Sequence, residues 1–165
     1  MRRIKDFQPQ GFTMGSISPN RKERDVPVTE AELKQLQESY SKLKDGAGDT
    51  PVFFYEALFR HAPNLRRMFR EDLEGQGMKF MTTLGVILAK LNDESAVAAH
   101  FQELGKKHAS LGVQTLHFAP MEDALIDTLR HALGKDLTPE LEKLWRQAFE
   151  EIADRMIQRG GIPES

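Results

Sequence analysis

Apolar residues recur three or four positions apart along most of the chain beyond Val28, and that spacing predicts helices that bury one face each. Leu33, Leu36, Tyr40 and Leu43 mark the first helix. It opens with Thr29-Glu30-Ala31-Glu32, where a hydroxyl can cap an early amide and a carboxylate can reach back. Asp45-Gly46-Ala47-Gly48-Asp49 interrupts the pattern, and Thr50-Pro51 restarts it, with Thr50 as cap and Pro51 at the first helical position. Phe53, Phe54, Tyr55, Leu58 and Phe59 make the second helix aromatic-rich. His61-Ala62-Pro63 ends it, because the residue before a proline disfavours helix, and a short turn over 64–69 follows.

A long helix over about 72–91 carries Leu73, Gln76, Phe80, Leu84, Ile87 and Leu91 in one stripe, with Gln76 as its polar member. Gly77 and Gly85 inside it cost about 1 kcal/mol each relative to alanine, which suggests that a neighbouring helix needs the space. Ala98, Phe101, Leu104 and His108 mark the next helix. Two more are predicted over about 115–133, closed by Gly134, and about 139–158, opened by Thr138-Pro139 and stopped by Gly160-Gly161. No segment alternates as a half-buried strand does. About six long helices with one short one pack as a bundle or as a sandwich of crossed helices, so the expected class is all-α.

Composition narrows the chemistry. The apolar fraction of 39% and charged fraction of 29% are those of a globular domain. The net charge of −2 provides no global field for nucleic acid, and no apolar run of membrane-spanning length exists. Absence of cysteine excludes disulfides, thiolate metal sites and covalent haem attachment, and fits a reducing compartment. No apolar leader follows the charged first residues, so a cytoplasmic location is expected. Residues 1–27 hold Pro9, Gly11, Gly15, Pro19 and Pro27 and no apolar stripe. They are expected as an irregular extension, locally basic, ahead of a folded domain over 28–160 and a short tail over 161–165.

His108 is the residue of chemical interest. It lies near the end of a helix, four residues after Leu104, just before the break at Gly112. A histidine there suits a metal cofactor held against an apolar face, and equally an ordinary helix end, where its protonated form meets the negative end of the dipole. Spacing alone leaves both open.

Phe54-Tyr55-x-x-Leu58-Phe59, then Pro63, Phe69, Gln76, Leu104-Gly105-Lys106-Lys107-His108 and Gly112-Val113 follow one another in an order and spacing that resemble a known family. The resemblance is to the bacterial single-domain globins and the globin domain of flavohaemoglobins, and it spans roughly residues 29–158. It implies a globin fold, a crossed-helix sandwich around a pocket for non-covalent haem b. It further implies His108 as the iron ligand, with its second nitrogen donating to a backbone carbonyl. Phe69 is then expected against the porphyrin face, Tyr55 and Gln76 as distal hydrogen-bond donors, and Phe80 as the apolar wall above the iron. Leu104, Val113, Phe118 and Met121 are expected on the proximal side and haem edge. Lys79 and Lys107 are candidates for the propionates, or plain surface lysines.

Two positions depart from the flavohaemoglobin pattern. Phe118 stands where a tyrosine is expected, and Gly160 where a glutamate is expected to complete a proximal hydrogen-bonded triad. Neither can supply the electronic push of peroxidase-like chemistry. The function expected from the resemblance is reversible binding of O2, NO or CO for storage, delivery or scavenging, by a monomer or weak homodimer. NO dioxygenation would need an external reductase. The other reading, from a different class, is a gas or redox sensor whose partner docks on residues 1–27.

Overall fold

The computed structural model describes residues 28–46, 50–69 and 72–164. The extension expected over 1–27, with the partner docking assigned to it, lies outside the described residues, as does the middle of the expected break at 47–49. Six α-helices run in order: α1 Glu30–Gly46, α2 Thr50–His61, α3 Leu73–Lys90, α4 Glu94–Ser110, α5 Phe118–Leu133 and α6 Pro139–Gly160. Short 3-10 helices occupy Pro63–Met68, Thr115–His117 and Gly134–Asp136. No strand occurs among the described residues.

The helix starts follow from their caps. The Thr29 amide donates to the Glu32 carboxylate at 3.0 Å while the Glu32 amide donates to the Thr29 hydroxyl at 3.1 Å, a reciprocal capping box. Thr138 caps α6 by accepting from the Leu141 amide at 3.1 Å, with Pro139 behind it. Thr50 behaves differently from the expectation. Helix α2 begins at Thr50 itself, and the buried Thr50 hydroxyl has no hydrogen-bond partner among the described residues.

The helices cross as two layers. α2 packs mainly on α5 and α3, and α4 mainly on α6, while α1 lies across α3, α5 and α6. Phe54, Phe101, Leu36 and Leu129 are fully buried where these layers meet, and each contributes about 1.5–3 kcal/mol relative to an exposed side chain. Trp145 is buried too, and its indole N–H finds the Ser39 hydroxyl at 2.9 Å, so burial leaves no orphan donor there. The two interior glycines of α3 are approach points. Gly85 admits the Tyr40 ring, whose hydroxyl donates to the Met81 carbonyl at 2.6 Å. A Cβ on Gly77 would lie 2.5 Å from Pro51 Cβ, so its absence lets the start of α3 close onto the start of α2.

The chain past Gly160 stays on the domain. Ile162 is buried, and the Pro163 carbonyl accepts from the Thr115 amide at 2.9 Å and the Thr115 hydroxyl at 3.2 Å. No helix among the described residues is long and apolar enough to cross a membrane.

Candidate functional site

Helix α2 supplies the centre of the first half of the site. Its aromatic run turns Phe54 and Tyr55 inward, both buried, and the corner after Pro63 brings Phe69 back over them. The Tyr55 ring sits 5.0 Å from Phe69, 5.0 Å from Phe54 and 6.2 Å from Phe59, and Phe80 of α3 stacks on Phe54 at 4.3 Å. Tyr55, Phe69 and Phe80 thus belong to one aromatic cluster joined through Phe54. Burial pushes the Tyr55 phenol up to about 12. A neutral phenol keeps its proton at any physiological pH and can donate it in a hydrogen bond.

Gln76 stands in the first turns of α3, half-buried, with its amide donating to the Asp72 carbonyl at 3.1 Å. Asp72 starts that helix in the left-handed region at φ 53°, a conformation its short polar side chain tolerates, and that carboxylate accepts from the Gly75 amide at 3.0 Å. The Gly77–Pro51 approach holds this turn against α2.

The second half is the end of α4. His108 is half-buried, and its Nδ1–H donates to the Leu104 carbonyl at 2.8 Å. A carbonyl can only accept, so the neutral ring carries its proton on Nδ1 and presents a lone pair at Nε2. Past His108 the helix closes through the Leu111 and Val113 amides, which both donate to the His108 carbonyl at 3.0 Å. Gly112 adopts φ +92°, where glycine carries no Cβ penalty. A Cβ there would lie 3.8 Å from Met68 Cε, so the loop after His108 meets the corner that carries Phe69.

The remaining expected residues divide by burial. Phe69, Phe80, Leu104 and Met121 pack on the core but remain partly exposed. Val113 and Phe118 are buried, and Phe118 lies 6.5 Å from Phe149. Lys79 and Lys107 are exposed. Nearby, His117 Nδ1 accepts from the Gln114 amide at 3.0 Å, and burial lowers its pKa.

Two features escaped sequence reasoning. Glu122 is buried on α5, beside Met121, with Arg146 3.1 Å away and Glu150 near. Burial first, then repulsion from Glu150, push its carboxyl up to about 7 against the pull of Arg146. Its signal was present: Glu122 falls on the apolar stripe of Phe118, Leu125, Leu129 and Leu133. The other is the contact of Gly105 with Gly160, two residues without side chains to betray it.

The globin family model matches residues 52–156. The chain is 28% identical over 109 residues to a flavohemoprotein of Bordetella pertussis, covering 64% of this chain but 27% of that protein, so it spans about a quarter of that relative's length. It is 27% identical over 135 residues to a leghemoglobin of Psophocarpus tetragonolobus, covering 76% of this chain and 92% of that one. A solved structure of a hexacoordinated heme protein from an anhydrobiotic tardigrade superposes with a TM-score of 0.73 at 15% identity, over 82% of this chain and 96% of the other.

Proposed function

The chain belongs to the globin family, and from that premise we propose that it binds haem b without a covalent link and takes O2, NO or CO at the iron. The observation that carries the proposal is the His108 ring. Its Nδ1–H is spent on the Leu104 carbonyl, which leaves Nε2 as the coordinating atom and fixes the ring plane. The partly exposed apolar set of Phe69, ahead of α3, Phe80 on α3, Leu104 on α4 and Met121 on α5 suits contact with a flat apolar macrocycle. Among the described residues no group of three or more carboxylate or histidine side chains could hold a metal. A single protein ligand fits a metal whose other ligands come from a macrocycle. Relatives named flavohemoprotein and leghemoglobin support haem in general as the cofactor.

When bound, haem supplies an iron atom with a coordination position for a diatomic ligand. The protein's own residues do the rest. His108 holds the iron, and its bond to Leu104 raises the basicity of Nε2. Tyr55, neutral because buried, donates a hydrogen bond toward a ligand that carries partial negative charge. Gln76, half-buried in the first turns of α3, would be a second donor. Phe69 and Phe80 exclude water, and Val113 and Phe118 close the proximal wall. Lys79 and Lys107, both exposed, would be the candidates to pair with the haem propionates. With Phe118 and Gly160 in place of a tyrosine and a glutamate, no proximal triad polarises His108. Ligand binding is therefore the function proposed, and turnover such as NO dioxygenation would draw on an external reductase. Titrating the purified protein with hemin tests the proposal: one Soret-absorbing equivalent should bind and shift on adding dithionite and CO.

A further inference from the structure

His108 is bracketed by the end of α6. Three residues before it, Gly105 lies against Gly160. A Cβ on Gly160 would fall on the Gly105 backbone and 2.8 Å from the Lys106 nitrogen. A Cβ on Gly105 would strike the Met156 carbonyl and lie 2.7 Å from Gly160 Cα. Seven residues after His108, Thr115 is tied to Pro163 by its amide at 2.9 Å and its hydroxyl at 3.2 Å. Between these two ties Ile162 is buried and its amide returns to the Ile157 carbonyl at 3.2 Å. The same short segment therefore grips the chain on both sides of the histidine.

The atoms nearest to a Cβ on Gly105 or Gly160 would be backbone atoms, which have no rotamer to yield. Displacing Gly160 moves the turn that contains Leu104, and the Leu104 carbonyl orients the His108 ring. We infer that the segment from Gly160 to Pro163 is a positioning element for His108, which sets the histidine's height and ring plane by backbone contact where the resemblance expects a glutamate side chain. The inference rests on the proposed role of His108 in holding haem, and it adds that the proximal side is held from α6 by a side-chain-free contact.

The test uses the full chain and three variants. Gly160→Ala inserts a Cβ into the Gly105 backbone. Ile162→Ala loosens the same segment without inserting anything, and keeps the test alive if Gly160→Ala does not fold. Gly85→Ala is the control, since its Cβ meets the Tyr40 hydroxyl 2.6 Å away, at a contact between α1 and α3. The readouts are the iron–histidine stretching frequency of the ferrous protein by resonance Raman, the rate of hemin loss to an apoglobin acceptor, and thermal unfolding. Gly160→Ala should shift the frequency and speed hemin loss about tenfold or more, Ile162→Ala should do the same to a smaller degree, and Gly85→Ala should lower the melting temperature alone. Gly160→Ala and Ile162→Ala variants that melt earlier yet keep the parent's frequency and hemin loss would overturn the inference. A parent chain that takes up no hemin would instead sink the haem proposal. The positioning role is then read from the His108 ring nitrogen shifts by NMR, which should change in Gly160→Ala and Ile162→Ala but not in Gly85→Ala; no change in either would overturn it.

Discussion

In the candidate site Tyr55 is held by side chains, whereas the chain on either side of His108 is held by backbone contacts. Around Tyr55 the contacts are ring against ring: Phe69, Phe54 and Phe59 within 6.2 Å, and Phe80 stacked on Phe54. Around His108 they are a ring nitrogen on a carbonyl, a glycine on a glycine, and a threonine amide on a proline carbonyl. Aromatic packing can adjust by rotamer and tolerates substitutions of similar volume at modest cost. Backbone contact cannot adjust, so it would suit the metal-holding role proposed for His108. On that proposal, donors around Tyr55 could vary without disturbing the His108 side.

Replacing residues on each side should therefore give effects of different kinds. The largest is His108→Ala, expected to weaken hemin binding by about 100-fold or more, measured by Soret titration; unchanged loading would mean that another residue is the ligand. Next comes Tyr55→Phe, which should retain hemin as the parent does but release O2 about tenfold to a hundredfold faster in stopped-flow, because one hydrogen bond to a charged group contributes about 1.5–3 kcal/mol. Gln76→Leu should act in the same direction. A Tyr55→Phe variant that lost hemin instead would erase the division of labour between the two halves.

Glu122, buried on α5 against Arg146, gives a pH-dependent effect. Its carboxyl is pushed up to about 7 from an ordinary 4.5. The folded protein therefore binds more protons between those values than the unfolded chain, and stability from this group is full below 4.5 and lost as pH rises through 7. Glu122→Gln should flatten that fall by about 1–3 kcal/mol between pH 5 and 8, read as melting temperature against pH beside the parent; parallel curves would place the titration elsewhere. The smallest effect is on the distal side. Thr50→Val removes a buried hydroxyl that has no partner among the described residues, and should be neutral or stabilising by about 0.5–1 kcal/mol in urea unfolding. A loss of more than that would mean the hydroxyl has a partner after all.

The same division explains what could be read from the amino-acid sequence. The all-α class was legible because helix spacing, the Thr29 capping box and the Thr138-Pro139 start are local signals, each reproduced in the fold, while the globin architecture came from the resemblance. Tyr55, Phe69 and Phe80 announced a cluster through residue type and spacing. Thr50-Pro51 misled in one respect, since it has the same local signature as Thr138-Pro139 but begins its helix one residue early. The Gly105–Gly160 contact was illegible. It joins positions far apart in the chain and consists of missing side chains, so Gly160 read as a helix stop and as a lost glutamate. Glu122 lay on an apolar stripe and could have been found; Arg146, which partners it, comes from another helix and carried no local sign.

The central claim is that His108 holds a haem through Nε2. The absorption spectrum of the protein purified and reconstituted with hemin, recorded ferric, ferrous and CO-bound beside His108→Ala, tests it most directly. One equivalent of haem with a Soret band that moves on reduction and again on CO binding, and that His108→Ala loses, is the result expected. A colourless parent that gains no Soret band from added hemin, or a His108→Ala variant with the parent's spectrum, would contradict it.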